Sequence, residues 1–409
     1  MSEIDSLLRD KAIEALSAWE RPSFASNPAL KKLRSLGTEL WLDTGEIEEA
    51  RKVWRREFQA MTTNNTLVNQ VIQKGEADES LKKLIRMIPS ENMTEQERVM
   101  ELGFAANCVV GIRLVRAFDV HVSVELHPSV AEDIDRTVYY AERYYAVCPE
   151  RFIIKIPLTP EGCCAVHRVR VKGIPVNYTL GFSARQNYMA ALLANPSYCN
   201  VFLGRLNAVV SENHFGDGRN VGEKASLATQ RAILSIRERG LSKTRLIAAS
   251  MREPSQIIQL AGMDVFTIPP KVVADFMAEE IDINSIHSHV AEKLSVNIHP
   301  EEMRPYFDTL WCVKENVHKM ALHLNSMDLL RLTGEDIRQA DLDFQTHLFH
   351  RFTPEEKLEI REHGKIPNLK RWISDPTISL DDLMTQSALQ SFTKDQMELD
   401  NHLAKLMHA

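Results

Sequence analysis

Cysteine is scarce: six residues, Cys108, Cys148, Cys163, Cys164, Cys199 and Cys312, are spread over 409 positions. Their spacing fits no zinc motif, and the scarcity argues against a disulfide-stapled secreted domain; reduced thiols in a cytoplasmic protein are expected. No run of about 18 apolar residues occurs, so no membrane-spanning helix is expected. The opening MSEIDSLLRDKAIEALSAW mixes charge with apolar residues, as an amphipathic helix does and a signal peptide does not. Basic excess is also missing, with 49 Lys and Arg against 56 Asp and Glu and a net charge of −7. Neither nucleic acid nor an anionic membrane is an expected partner, and an anionic substrate would need a local basic pocket. The glycines of His214–Asn220 lack the strand and helix of a phosphate cradle, so this segment is expected to be a flexible loop. The His-Ser-His run at 287–289 has no carboxylate or cysteine at ligand spacing and is expected to be a surface pair, with no metal.

What is present is ordinary globular composition, 44% hydrophobic and 26% charged, at a length that suits a large core plus an appendage. Residues 1–37 read as a helical leader broken near Arg21–Pro22 and Asn27–Pro28. Eight apolar strands follow: Thr38–Leu42, Phe58–Thr62, Val120–Leu126, Phe152–Ile156, Pro175–Thr179, Cys199–Leu203, Arg245–Ala249 and Asp264–Ile268. Helical stretches separate most of them, among them Ile47–Arg56, Val130–Tyr145, Arg185–Ala194, Glu223–Arg239 and Pro254–Ala261. Such alternation predicts an α/β protein, a (β/α)₈ TIM barrel over residues 38–279. Residues 280–409 read as a wholly helical extension with breaks at Pro300, Pro305, Pro354, Pro367 and Pro376, ending in a helix over Met384–Met407.

In such a barrel the C-terminal strand ends line the active site, and side chains two apart share a face. Lys155, in Phe-Ile-Ile-Lys-Ile-Pro, has apolar neighbours on both sides, which is costly for an ammonium. A buried neutral amine attacks a ketone carbonyl to give an imine, an electron sink for cleaving the adjacent carbon–carbon bond. The alternatives are a snorkelling lysine or one paired with a core carboxylate. Glu125 shares a face with Ser123, and Asp43 with Trp41. Either could be a salt-bridge partner, and Asp43 could cap the following helix. Imine chemistry needs groups to move water and a hydroxyl proton, and two carboxylates could serve. Asn64, Asn177 and Thr179 suit sugar hydroxyls, or else strand-end turns. Arg205 and Arg252, with Ser250, follow late strands, where barrels often hold phosphate; ordinary surface arginines are the alternative.

With these strand ends laid out, the sequence resembles the transaldolase family from about Glu39 to Pro270. The resemblance is carried by Trp-Leu-Asp-Thr-Gly-Glu-Ile-Glu at 41–48, Thr-Thr-Asn at 62–64, Val-Ser-Val-Glu at 122–125 and Ile-Lys-Ile-Pro at 154–157. It continues in Asn-Tyr-Thr-Leu-Gly-Phe-Ser at 177–183, Phe-Leu-Gly-Arg at 202–205, Ala-Ala-Ser-Met-Arg at 248–252 and Thr-Ile-Pro-Pro at 267–270. Phe392-Thr-Lys-Asp-Gln-Met-Glu-Leu is similar to the closing helix of longer transaldolases. The resemblance implies that Lys155 forms the Schiff base and that Asp43 takes and returns the hydroxyl proton. It implies that Glu125 and Thr179 handle water, that Asn64 and Asn177 hold the dihydroxyacetone unit, and that Arg205, Ser250 and Arg252 hold phosphate. The reaction implied moves dihydroxyacetone between sugar phosphates in the pentose phosphate pathway, with no metal or cofactor. Fructose 6-phosphate aldolases carry Gln in place of Glu125 and Tyr in place of Phe202, so both positions here follow the transferase pattern. Aldol cleavage and a non-catalytic barrel with a partner-binding tail are the alternatives. Asn65 stands where the family has Pro, and Asn200-Val201 where longer members have Ser-Pro, which touches substrate preference. The leader and residues 280–380 exceed the family pattern and could cover the barrel mouth, form a homo-oligomer contact or bind a partner.

Overall fold

Eight short apolar strands bounded by turns are each too short to bury two faces alone, and they do so by closing on themselves. They are β1 Glu39–Asp43, β2 Phe58–Thr62, β3 His121–Glu125, β4 Phe152–Pro157, β5 Val176–Thr179, β6 Tyr198–Phe202, β7 Arg245–Ala249 and β8 Val265–Ile268. All neighbours pair parallel in chain order and β1 pairs with β8, giving a closed (β/α)₈ barrel. The expected strand ends differ from these by no more than one residue. The structure, a computed structural model, describes residues 2–17, 23–88 and 93–408. The expected break at Arg21–Pro22 lies outside the described residues.

Inside the barrel, Trp41, Ala60, Ile153, Ile247, Ala249 and Val265 form an apolar plug beneath the C-terminal strand ends. The larger core fills the space between strands and outer helices and takes in residues from Ile4 to Leu403. One outer helix, Glu95–Phe118, lies so close to β4 that a Cβ on Gly111 would sit 2.8 Å from the Phe152 ring. This helix, with Asn65–Gln73 and Asp78–Ile85, fills the β2–β3 connection, for which the sequence reading names no helix. Its buried run from Leu102 to Ile112 hides any amphipathic period.

The leader helix Glu3–Ser17 lies on the outside of the barrel, where Arg143 reaches both Asp5 and Glu101 at 2.7 Å. Asn27 caps the next helix, Pro28–Ser35, by accepting from Ala29 and Leu30, so the expected break there is a helix start. Beyond β8 the expectation of a wholly helical extension fails between residues 286 and 300. This segment is an irregular strap, because its backbone bonds go to the barrel: His289 N–H donates to Ala261 O at 2.9 Å and His299 N–H to Phe215 O at 2.8 Å. The second contact also builds His214–Asn220 into the fold, where a free loop was expected. Pro305 and Pro354 stand in the first turns of Arg304–Phe307 and Pro354–His363, starting helices where breaks were expected. The chain then crosses the barrel mouth as the helix Leu380–His408. None of the six cysteines is in a disulfide, and five are buried. Among the described residues no helix is long and apolar enough to cross a membrane.

Candidate active site

Parallel register decides which strand-end residues meet. Glu125 pairs with Lys155 and Lys155 with Asn177 on one rung, and Asp43 pairs with Thr62. Two residues further along β5, Thr179 faces the same way as Asn177. Lys155 is only 4% exposed, so it does not snorkel. Its Nζ donates to Thr63 O at 3.2 Å and to Glu125 Oε2 at 3.4 Å, which joins the paired and the catalytic readings in one residue. Burial raises the pKa of Glu125, and the Lys155 charge opposes that rise. Glu125 Oε1 and Thr179 Oγ1 are both buried with no protein hydrogen-bond partner, which leaves them capacity for substrate or water.

Asp43 does not cap the helix Ile47–Val53, whose N-cap is Glu46. Instead Thr62 Oγ1 donates to Asp43 Oδ1 at 2.6 Å, and the same hydroxyl lies 2.6 Å from Thr267 Oγ1. A hydroxyl has one proton, so Thr267 donates to Thr62 and Thr62 to Asp43. Although Asp43 keeps some surface toward the barrel mouth, surrounding protein desolvates it and raises its pKa, while Thr62 and Lys155 hold the rise in check. Replacing Thr62 by Val removes a donor that favours the carboxylate. The acidic limb of the kcat/KM profile is therefore expected to move to higher pH, with the alkaline limb unmoved; an acidic limb that stays put or moves down refutes this.

Asn64 caps the helix Asn65–Gln73 through Oδ1, which accepts from Leu67 N–H at 2.9 Å, so the turn reading holds for that oxygen. Its amide NH₂ remains for a ligand. Asn177 Nδ2 donates to Ser123 Oγ at 3.1 Å, and its Oδ1 accepts from Asn200 Nδ2 at 3.2 Å. Asn200 in turn accepts from Gly181 N–H at 3.3 Å, so the residue in place of the family's serine fixes the orientation of the Asn177 amide. Asn65, buried at the first helical position, donates to Leu126 O at 3.3 Å and ties the β2 turn to the end of β3.

Arg205 is buried with Nη1 unpartnered; burial and the neighbouring Arg252 charge push its pKa down to about 10. Such a guanidinium suits an anion. Arg252 is exposed, and Ser250 adopts φ +65°, a left-handed turn that redirects the chain after β7. Gly204 lets the two arginines approach, since a Cβ there would lie 2.1 Å from Ser250 O and 2.9 Å from Arg252 Cγ. The Phe202 ring lies 5.8 Å from that of Phe182, tilted 55° to it, and packs on the barrel plug.

Sequence reasoning missed Thr62 and Thr267 as supports for Asp43, although both stand in the quoted motifs. It quoted Phe392 in the closing helix but gave it no place at the site. This ring, carried by Leu380–His408, lies 5.6 Å from Lys155 Nζ and 5.7 Å from the Arg205 guanidinium carbon, as a roof over both cations. No spacing rule links position 392 to position 155; only the path of the closing helix does.

The family model described as Transaldolase/Fructose-6-phosphate aldolase matches residues 40–330 of the chain. A transaldolase of Chlamydia felis is 24% identical over 267 residues, 64% of this chain and 80% of the relative. A probable transaldolase of Kosmotoga olearia is 30% identical over 238 residues, covering 57% and 86%. Another probable transaldolase, of Syntrophobacter fumaroxidans, is 35% identical over 147 residues, covering 36% and 60%.

Proposed function

We propose dihydroxyacetone transfer through a Lys155 imine for this chain, which belongs to the transaldolase/fructose-6-phosphate aldolase family. Sugar phosphate substrates, Schiff-base chemistry and a place in the pentose phosphate pathway follow from that membership. The observation that carries the residue assignment is the buried Lys155 amine beside Glu125 Oε2, with Glu125 Oε1 and Thr179 Oγ1 free of protein partners.

Lys155 Nζ attacks the C2 carbonyl of a ketose phosphate. Glu125 and Thr179 escort the oxygen out as water, leaving the imine. Asp43 takes the proton of the C4 hydroxyl, the C3–C4 bond breaks, and its electron pair passes into the imine as an enamine. The shortened aldose phosphate leaves. The enamine then attacks an incoming aldose phosphate, Asp43 returns the proton, and water hydrolyses the imine. Asn64 and Asn177 hold the three-carbon unit, with Asn200 and Phe202 behind it, while Arg205, Ser250 and Arg252 hold the phosphate. We take residues 38–279 as the catalytic barrel, 1–37 as its leader and 280–409 as its extension. The unpaired, mostly buried thiols suit a reducing compartment, and we assign the protein to the cytoplasm.

Borohydride reduction with fructose 6-phosphate, followed by peptide mass spectrometry, tests the assignment. A reduced three-carbon adduct on Lys155 is expected. An adduct on another lysine, or none with either fructose 6-phosphate or sedoheptulose 7-phosphate, overturns it.

A further inference from the structure

At the opposite end of the barrel from Lys155, the strap between residues 286 and 300 brings three ligand-type side chains together. His287, His289 and Glu292 each offer an atom, and the three atoms lie within 4.8 Å of one another. The sequence reading found no carboxylate partner for the two histidines; the fold supplies one by turning the strap back at Glu292. Glu292 Oε1 is 2.8 Å from His289 Nδ1 and 3.8 Å from His287 Nε2. Tetrahedral zinc, with bonds of about 2.0–2.1 Å, holds its ligand atoms roughly 3.3 Å apart, between those two separations.

The rings are already turned for this use. His287 Nδ1 lies 2.7 Å from the Ser285 carbonyl, which can only accept, so the proton is on Nδ1 and Nε2 presents its lone pair. His289 turns Nδ1 toward Glu292 at 2.8 Å, while its Nε2 is buried without a hydrogen-bond partner. Arg231 fixes the backbone between the ligands, donating to Val290 O at 2.8 Å and Glu292 O at 3.0 Å.

We propose that His287 Nε2, His289 Nδ1 and Glu292 form a zinc-class divalent cation site that pins the strap to the underside of the barrel. Two borderline imidazoles beside one carboxylate favour zinc over calcium or magnesium, which prefer all-oxygen sets. On binding, the cation replaces the proton of His289 Nδ1, and the neutral ring carries its proton on Nε2. The fourth position faces solvent.

Zinc(II) titrated into the full chain by calorimetry is expected to bind one equivalent and to slow hydrogen exchange in the strap around Val290–Asn297. His289→Ala and Glu292→Gln are each expected to weaken binding by more than about a hundredfold. Both variants should keep dihydroxyacetone transfer, which shows that they fold. Absence of zinc binding, or binding that both variants retain, overturns the site, as does binding that leaves strap exchange unchanged.

Discussion

Lys155→Met is expected to lower dihydroxyacetone transfer by at least about ten-thousand-fold, because among the described residues Lys155 is the one buried lysine and no second amine stands in the barrel to form the imine. Methionine has nearly the same length, so the apolar neighbours of β4 keep their packing. What changes is the charge balance. Glu125 loses the cation that opposes its burial and is driven further toward the protonated form, which makes the substitution tolerable to the fold. Activity and stability should therefore separate: transfer and borohydride trapping vanish while the circular dichroism spectrum and cooperative melting remain. Transfer retained within about tenfold of the parent would remove Lys155 from the mechanism. Loss of the cooperative melt would instead make the lysine a structural residue.

Asp381→Ala carries the second large effect. Asp381 is fully buried at the start of the closing helix and binds Arg185 in a two-pronged pair, at 2.8 Å from Nε and 2.6 Å from Nη2. It also accepts from Ser183 Oγ at 2.6 Å, on the turn after β5. Removing the carboxylate leaves a buried guanidinium without its hydrogen-bonded partner, with only the unbonded Asp341 and Asp382 charges nearby, at a cost of about 3–5 kcal/mol. A melting midpoint lower by on the order of 5 °C or more is expected. Activity should fall as well, because the same helix brings Phe392 over Lys155 and Arg205 and bonds Asp395 to Thr66. The double variant Arg185→Leu with Asp381→Leu should recover part of the stability, since it removes both members of the bonded pair. A single variant that melts within about 1 °C of the parent would contradict this account of how the mouth is closed.

Much of the barrel was legible in the sequence, and the reasons are local. Each strand is a run of four to six mostly apolar residues, and several carry a polar residue at or near the C-terminal end, so one pattern singled out Asp43, Glu125, Lys155, Asn177 and Thr179 as candidates that the barrel then gathers at one mouth. The family resemblance added the roles. What stayed hidden depends on three-dimensional encounters. The helix Glu95–Phe118 is buried on so many sides that it lost its period. The strap around His289 reads as helix by composition, yet spends its backbone bonds on Ala261 and Phe215. Glu292 looked unrelated to His287 until the strap turned. Thr62 looked like strand filling until Asp43 was seen to need a donor.

The distance along the chain between Asp43 and Phe392 also orders how the mouth is completed during synthesis. All eight strands are present once Ile268 has been made, yet the roof over Lys155 and Arg205 arrives only with Phe392. A nascent chain stalled between these two points would hold every group assigned to the chemistry with the mouth uncovered. The mouth therefore gains its cover only with residues made more than a hundred positions after the last barrel strand.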